Sequence, residues 1–451
     1  MTAYLADLAW VDGRVQPKVG LEIAADGCIA AVTPGAAGGQ RIAGLVVPGL
    51  ANLHCHAFQR AMAGLAGRGE GAAMTGRLLD ALTPDDVEAI AAQAYAECLV
   101  HGYTAVAECH LLHNAPDGTP YDDPAEMSLR IIAAARQAGI GLCLLPVLVR
   151  RGGFGSAPPT GAQRRCVMSV EAYGRLCQDL CQYAPIGVAP HSLAAVSPDE
   201  LSAALVIAEW LAPATPVHVG LAESGREVAD CIAWSGRRPA AWLLDAAQVD
   251  RRWCLVHGSG IDAAECAALA ATGAVLGLSP TSEANRGEGL APLLPWLRAG
   301  GRFGIGSGST VSTSPVEELR WLDYLHRVAA GRRDAVPAGL LMQAAAGGAQ
   351  ALGRRAGTIA PGRLADLVVL DPDHPALLGH IGEAALDAWV FAGNATPVRH
   401  VMVAGQWVVQ HGRHVRGEQI ATAFGRTMRR LAGRGAASRS ARALPWTRQG
   451  P

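Results

Sequence analysis

The sequence predicts an α/β fold in which a (β/α)8 barrel of the TIM type is inserted into a small β-sandwich. Eight short apolar runs alternate with helical segments in the middle of the 451-residue chain. Such alternation is typical of parallel strands joined by helices, and eight units are enough to close a barrel. Several of the runs end in histidine, whereas strand and turn patterns occupy the two ends of the chain. We therefore expect the barrel in the middle and the β-sandwich at the joined termini.

The composition favours small-molecule chemistry or a protein partner. Half of the residues are hydrophobic, 17% are charged, and the formal net charge is -1 at pH 7. Nucleic acid or an anionic membrane surface would favour a large excess of Lys and Arg. We therefore expect neither nucleic acid nor a membrane as partner.

The cysteines and the N-terminal segment indicate a cytoplasmic protein. The 11 cysteines are an odd number, and several, such as Cys143 and Cys254, lie inside apolar stretches. Scattered thiols of this kind are typical of reduced, buried side chains rather than of a disulfide framework. Residues 1–15 lack the basic and apolar regions of a signal peptide, and no run of about 18 apolar residues is present to span a bilayer.

The two ends of the chain are predicted to form one β unit. Residues 1–45 are short strand-like pieces separated by the turn signals Asp12-Gly13, Asp26-Gly27 and Pro34-Gly35. Residues 357–415 again contain strands and turns. We expect residues 416–432 to form an amphipathic helix and residues 433–451, with their Gly, Ser, Pro and Arg, to form a disordered tail.

Residues 46–356 are predicted to form the barrel. Helix starts are marked by Thr83-Pro84-Asp85-Asp86, Ser197-Pro198-Asp199-Glu200 and Asp262-Ala263-Ala264-Glu265, which place a capping side chain before the first turn. The eight predicted strands are Asn52–His56, Thr104–His110, Leu142–Val149, Ile186–His191, Pro216–Leu221, Trp253–His257, Ala274–Ser279 and Arg302–Gly306.

The first barrel strand carries the clearest candidate site. His54 and His56 are two residues apart, so a β-strand directs both imidazoles to the same face. Neutral imidazole is a good ligand for zinc, and a catalytic zinc usually takes about three protein ligands and leaves one position for water. His110, His191 and His257 also lie at predicted strand C-termini, where barrel active sites are found. His326 and His414 have no motif around them and are interpreted as surface residues.

These stretches resemble the amidohydrolase superfamily, and within it the family of formimidoylglutamate deiminases. The resemblance extends over nearly the whole chain up to about Leu431. The segments that carry it are His54-Cys55-His56-Ala57-Phe58-Gln59-Arg60-Ala61, Ala189-Pro190-His191-Ser192-Leu193, Trp253-Cys254-Leu255-Val256-His257, Pro280-Thr281-Ser282-Glu283-Ala284-Asn285, Gly301-Arg302-Phe303-Gly304-Ile305-Gly306-Ser307 and Pro361-Gly362-Arg363-Leu364-Ala365-Asp366.

The resemblance implies a mononuclear zinc or iron hydrolase that acts on a C–N bond. A metal-activated water would attack an imino carbon, and a carboxylate would move a proton to the departing ammonia. By position, His54 and His56 match metal ligands, while Glu223 and His257 match catalytic residues. A further pair, Gln59 and His191, matches substrate-binding residues.

Two metal ligands of the family pattern are missing from this sequence. Gly220 stands where a histidine is expected, and Gly308 stands where an aspartate is expected. Ala194 and Ala72 stand where the resemblance implies arginines that would hold substrate carboxylates. His218 lies on the same strand as Gly220, but we do not expect it to replace the lost ligand. Metal binding is therefore expected to be weak or absent.

Two interpretations follow from the sequence. In the first, the chain is a catalytically inactive homologue with a binding or regulatory role, in a homodimer or with an active relative. In the second, it is an active deiminase of the amidohydrolase type with an altered metal site or substrate. The first interpretation also predicts that Gly220→His together with Gly308→Asp restores metal binding.

Overall fold

The computed structural model describes residues 1–64, 71–333 and 339–440, and it contains the predicted barrel and terminal β unit. Eight parallel strands form the barrel in two hydrogen-bonded groups of four. Before them in the chain come β1 Thr2–Val11, β2 Arg14–Ile23, β3 Ile29–Pro34 and β4 Gln40–Pro48. The barrel strands are β5 Leu50–Cys55, β6 Tyr103–His110, β7 Gly141–Leu148, β8 Ala189–Pro190, β9 Val217–Leu221, β10 Trp253–His257, β11 Val275–Leu278 and β12 Arg302–Ile305.

Parallel bridges join the two groups of strands into a closed ring. Val188 pairs with Val217 and Ser192 with Gly220 at one seam. At the other seam Cys55 pairs with Gly308. Because all eight strands run in the same direction, their C-terminal ends meet at one face of the barrel.

Helices surround the barrel in the alternating order that the sequence predicts. The predicted caps are present, since Thr83, Ser197 and Asp262 each form a capping box with the residue three positions later. The helices are α1 Gly71–Ala81, α2 Pro84–Val100, α3 Glu126–Ala138, α4 Val170–Leu180, α5 Pro198–Leu211, α6 Gly225–Ser235, α7 Pro239–Ala246, α8 Ala263–Ala271, α9 Pro280–Arg286, α10 Leu293–Arg298, α11 Pro315–Ala330, α12 Leu340–Ala351, α13 Ala384–Phe391 and α14 Gly417–Ser440, with 3-10 turns at Ala57–Met62 and Gly161–Gln163. None of these helices, within the described ranges, is long and apolar enough to cross a membrane.

The terminal segments form one mixed sheet of eight strands. Its remaining members are β13 Leu367–Leu370, β14 Val398–Val403, β15 Gln406–Gln410 and β16 Arg413–His414. The strand order β16-β15-β14-β13-β4-β1-β2-β3 is continuous, so the N- and C-terminal segments are hydrogen-bonded to each other through β4 and β13. The turn at Asp12-Gly13 has positive φ at both residues, as a two-residue hairpin requires.

Three details differ from the sequence-based expectations. The fourth barrel strand is only Ala189–Pro190, and the rest of its predicted length pairs through single bridges. The last helix continues to Ser440, past the predicted start of the tail, and residues 441–451 lie outside the described part of the chain. His326 and His414 are buried rather than at the surface, because backbone carbonyls accept their ring N–H groups.

A buried ion pair joins the barrel to the terminal sheet. Asp366 precedes β13, and its carboxylate accepts two hydrogen bonds from Arg354, at 2.6 and 3.0 Å, and one from the Ala404 amide at 2.8 Å. The Asp366 side chain has no solvent exposure. Because Arg354 follows α12 of the barrel and Ala404 follows β14 of the sheet, this carboxylate links the two parts directly.

We predict that Asp366→Ala lowers the free energy of unfolding by about 3–5 kcal/mol, because it leaves the Arg354 charge without its buried partner. Urea unfolding of the purified variant measures this loss. The matched control is Asp7→Ala, which removes a bidentate pair with Arg41 at the surface. That change is expected to cost at most about 1 kcal/mol. Equal losses of free energy in the two variants would contradict the conclusion that Asp366 stabilises the contact between the barrel and the terminal sheet.

Candidate active site

A small cavity at the C-terminal ends of the barrel strands contains most of the predicted site residues. Its volume is about 70 Å³. The predicted residues that line it are His54, His56, His191, Glu223 and His257. The barrel therefore brings together five of the seven side chains that the sequence singled out, whereas Gln59 and His110 are not among the residues that line the cavity.

His54 and His56 are fixed by the neighbouring strand β6. The Nδ1 atom of His54 lies 3.1 Å from Cys109 Sγ, and Nδ1 of His56 lies 2.7 Å from the Cys109 carbonyl oxygen. The two ring centroids are 4.7 Å apart, and the centroid of His257 is 5.3 Å from that of His54. Their Nδ1 atoms are thus engaged with β6, which leaves Nε2 of each ring available to the cavity.

Burial keeps both imidazoles neutral near pH 7. It lowers the pKa of His54 well below its usual value, and repulsion from Arg286 and from the charged forms of His56 and His257 lowers it further. Burial also lowers the pKa of His56 to about 4, although the hydrogen bond to the Cys109 carbonyl opposes this shift. Neutral imidazole is the form that binds a metal or accepts a proton.

His257 has an unusual backbone conformation, and its ring lies between the carboxylate of Glu283 and the guanidinium of Arg286. Its φ is +73°, in the left-handed region that a non-glycine residue rarely adopts and that is enriched at functional sites. Nδ1 lies 3.2 Å from Glu283 Oε1, and Nε2 lies 3.3 Å from Nη2 of Arg286. A guanidinium only donates, so the Arg286 contact makes Nε2 the acceptor and places the ring proton on Nδ1, facing Glu283.

Glu223 and His257 influence each other's ionisation. Burial alone would lower the pKa of His257, but the negative charges of Glu223 and Glu283 raise it overall. Burial would likewise raise the pKa of Glu223, but His257, His191 and Arg286 lower it overall. The carboxylate of Glu223 is therefore ionised near pH 7 and able to accept a proton.

The backbone that carries Glu223 is fixed by a second carboxylate. Glu227 accepts hydrogen bonds from the amides of Ala222, at 3.1 Å, and Glu223, at 2.9 Å. Burial, followed by the charge of Glu223, raises the pKa of Glu227 to about 7. Ala222 has a φ of +50°, so the chain turns sharply where β9 ends and α6 begins.

The two predicted substrate-binding residues differ in position. His191 is exposed at the cavity and ends the short fourth strand, whose backbone pairs with Leu148 and Gly220. Gln59 lies on the 3-10 turn directly after His56 and does not line the cavity. Of this pair, only His191 is therefore in position to contact a molecule inside it.

His218 also lines the cavity, but one of its ring nitrogens is engaged with a backbone carbonyl. Its Nε2 lies 2.8 Å from the Ala351 carbonyl oxygen at the far side of the strand, and its Nδ1 has no hydrogen-bond partner. Burial lowers its pKa to about 4, against the effect of that carbonyl. His218 is therefore a buried neutral imidazole in the wall of the cavity.

Both glycines at the expected ligand positions lie at the seams of the barrel. Gly220 donates its amide to the His191 carbonyl, and Gly308 donates its amide to the His54 carbonyl. A Cβ on Gly220 would overlap Glu223 Oε1. Gly308 has a φ of +50°, and a Cβ there would lie 2.7 Å from Ser282 Oγ.

This backbone geometry argues against the expectation that restoring the two side chains restores metal binding. Histidine at position 220 would displace the carboxylate of Glu223. Aspartate at position 308 would be strained by the positive φ and crowded by Ser282. The double substitution would therefore require both Glu223 and Ser282 to move.

Arg286 and Cys109 are site residues that the sequence reasoning missed. Arg286 ends α9 and brings a guanidinium to the cavity, where its Nη2 also donates to Glu288 at 2.7 Å. The available signal was its place directly after the family-like stretch that ends at Asn285. Cys109 precedes His110, but no spacing rule showed that its sulfur and carbonyl would hold the first two histidines.

The fold and the cavity define a (β/α)8 barrel protein with its candidate site at the C-terminal face of the strands. The chain belongs to the amidohydrolase family, whose model matches residues 45–408. It is 47% identical over 449 residues to formimidoylglutamate deiminase of Pseudomonas aeruginosa, a match that covers 94% of this chain and 98% of that protein. It is 31% identical over 386 residues to a 5-methylthioadenosine/S-adenosylhomocysteine deaminase of Nitratidesulfovibrio vulgaris, covering 82% and 81% of the two chains.

Solved structures confirm the fold. The crystal structure of an amidohydrolase from Brucella melitensis superposes with a TM-score of 0.89 at 38% identity, covering 96% of this chain and all of that one. An adenosine deaminase from Xanthomonas campestris with bound zinc gives a TM-score of 0.78 at 22% identity, covering 96% of this chain and 98% of that one. The second comparison supports the fold alone.

The residues present do not fit the metal that the family resemblance implies. In the described segments, no group of three or more His, Cys, Asp or Glu side chains is arranged to hold a metal ion. His54 and His56 remain as candidate ligands, but two imidazoles are fewer than the three or four protein ligands of a typical zinc site. The nearby Nε2 of His257 accepts from Arg286 instead.

Glu318 on α11 anchors the short helix α9, which carries Glu283 and Arg286. Its carboxylate accepts from the Thr281 amide at 2.9 Å and from the Thr281 hydroxyl at 2.5 Å. It is fully buried, and burial raises its pKa to about 8 against these hydrogen bonds. Near neutral pH this acid is therefore mostly protonated in the folded chain and ionised in the unfolded one.

We predict that Glu318→Gln flattens the pH dependence of stability between about pH 4.5 and 8. The folded pKa is raised, so the contribution of the protonated acid is full below about pH 4.5 and is lost as the pH rises through about 8. The wild type should lose about 2–5 kcal/mol more than the variant across this window. Urea unfolding at both pH values measures it, with the exposed Glu22→Gln as control. Parallel profiles for wild type and Glu318→Gln would contradict the prediction.

Proposed function

We propose that the chain is a non-hydrolytic homologue of formimidoylglutamate deiminase whose barrel has a binding or regulatory role. One observation carries this proposal. Glycine occupies both remaining ligand positions, at residues 220 and 308, and neither glycine can be replaced without disturbing its neighbours. A site that had only drifted in specificity would have exchanged donors for other donors.

Arg286 supports the proposal because it supplies a positive charge at the site. Its guanidinium contacts His257 Nε2, and its charge lowers the pKa values of His54 and His56 after the larger effect of burial. It also helps to keep Glu223 ionised. A fixed cation of the chain itself thus balances the negative charges of Glu223 and Glu283.

The size of the cavity also supports the proposal. About 70 Å³ is room for roughly two water molecules, whereas ligand pockets usually measure about 300–1,000 Å³. Ala194 offers no donor to a substrate carboxylate. A dicarboxylate such as formiminoglutamate would therefore need both more space and more cationic groups than the cavity offers.

A second candidate function is hydrolysis of a C–N bond with an altered site. The 47% identity to formimidoylglutamate deiminase favours it, as does the ionised Glu223 beside His257. In that case Glu223 would accept a proton from water and deliver it to the leaving nitrogen, with His257 orienting the reacting group. A zinc or iron cofactor belongs to this candidate and would depend on His54 and His56.

The remaining expectations are proposals of the same kind. We propose a cytoplasmic homodimer whose partner is a small molecule or a protein, with no role for nucleic acid or a membrane. The formal net charge of -1 supports the last point.

We predict that protein purified without chelator contains almost no zinc or iron and releases no ammonia from N-formimino-L-glutamate. Elemental analysis and an ammonia assay measure the two quantities. His54→Ala is the matched control, and the Pseudomonas aeruginosa relative serves as the positive reference. Close to one metal per chain that is lost in His54→Ala, together with ammonia release, would overturn the proposal and establish the second candidate.

A further inference from the structure

A large cavity lies at the opposite end of the barrel from the candidate active site. It measures about 1130 Å³ and is bounded by the residues that precede β9 and β10, the start of β12, the helix α12 and the segment after it. We call it the bottom cleft and define it by Arg251, Arg302, Gln350, Arg355 and Arg363. No residue of this cleft belongs to the site described above.

The bottom cleft carries an excess of positive charge in a chain whose net charge is -1. Six arginines line it. Two are neutralised: Arg252 pairs with Glu209 and Asp250, and Arg354 pairs with Asp366. The other four, for which the described part of the chain offers no ion pair, are Arg251, Arg302, Arg355 and Arg363.

The positive charge of one of these four arginines, Arg355, is partly compensated by Asp26. The charge of Arg355 contributes to lowering the pKa of Asp26, after the larger effect of the hydrogen bond from the Cys28 amide. Its Nη2 lies 3.7 Å from Cys28 Sγ. The excess of charge therefore rests mainly on Arg251, Arg302 and Arg363.

Hydrogen bonds of Gln350 fix one wall of the bottom cleft. The side-chain amide of Gln350 donates to the carbonyls of Arg251 and Gly273, at 2.9 Å each, which fixes its orientation. Its Oε1 then accepts from Arg302 Nη1 at 2.6 Å. One edge of the Arg302 guanidinium is thus held in place, and its other N–H groups are left to meet a ligand.

A purely structural role explains only part of this arrangement. The C-terminal ends of α5 and α12 lie next to the cleft, and a cation near a helix C-terminus gains about 0.3–1 kcal/mol. That role needs one cation for each helix end. It does not account for a volume large enough for an organic ligand, or for guanidinium groups without carboxylate partners.

We infer that the bottom cleft binds a small polyanion with two or more phosphate groups. Guanidinium groups suit this ligand because their planar, permanently charged N–H forks bind phosphate oxygens in pairs. The bottom cleft lies at the N-terminal face of the barrel strands. A ligand bound there would be remote from the candidate active site and would take no part in chemistry at the other face. The inference does not depend on the proposed function.

Isothermal titration calorimetry with tripolyphosphate tests the inference at an ionic strength of about 0.01 M, where screening is weak. The wild type should bind with saturation. Arg251→Gln/Arg363→Gln should bind at least about tenfold more weakly. Both side chains are exposed, and neither makes a side-chain hydrogen bond to any residue that the structure describes, so the fold should persist. The matched control is Arg14→Gln/Arg175→Gln, which removes the same charge from exposed positions outside the cleft and should bind like the wild type.

Each other outcome of this titration overturns the inference. Equal weakening in the two double variants would mean that only overall charge matters. Loss of binding in Arg286→Gln, with retention in Arg251→Gln/Arg363→Gln, would place the anion in the candidate active site. Absence of saturable tripolyphosphate binding to the wild type would leave these arginines with a structural role. Inorganic phosphate and citrate, titrated in parallel, separate a need for linked phosphates from binding of any multivalent anion.

Discussion

Closure of the barrel by backbone hydrogen bonds is the constraint on which the rest of the structure depends. At the seam between the first and last strands, the Gly308 amide donates to the His54 carbonyl at 2.9 Å, and the His56 amide donates to the Gly308 carbonyl at 3.0 Å. The Asn52 side chain adds two hydrogen bonds to Ser307, at 2.8 and 2.9 Å. These contacts direct His54 and His56 toward the barrel axis, where the ends of the other strands meet them.

Because the ring closes through the backbone, the site can change without loss of the fold. At Gly220 and Gly308 the main chain pairs across the two seams, and a side chain is not needed for either pairing. Ser282 supports the second seam, since its hydroxyl donates to the Ser307 carbonyl and accepts from the Ser309 amide. The scaffold therefore constrains the strands strongly and the identity of the residues at their ends only weakly, so fold similarity alone leaves activity undecided.

The sequence predicted the barrel and the location of the site because both follow from local patterns. Periodic apolar runs mark strands, and a histidine at the end of a run marks the C-terminal face, so the positions of His54, His56 and His257 were predictable. That the Arg286 guanidinium reaches the cavity could not be predicted, because it depends on where α9 packs against the barrel. The burial of His326 was also not predictable, because its Nε2 lies 3.1 Å from the carbonyl oxygen of Ala291, which is distant in the sequence. Contacts between residues far apart in sequence leave no periodic signal.

The charge of Arg286 bears on both proposed interpretations of the site. A divalent ion about 4 Å from a guanidinium would be repelled by roughly 8 kcal/mol at an effective dielectric constant of about 20. Arg286 contacts His257 Nε2, so an ion bound beside that nitrogen would meet this repulsion while lacking ligands from positions 220 and 308. The same guanidinium is favourable when no metal is bound, because it offsets the charges of Glu223 and Glu283. This charge balance supports the proposed metal-free site, and the proposed hydrolytic alternative predicts that Arg286 moves away from His257 when a metal binds.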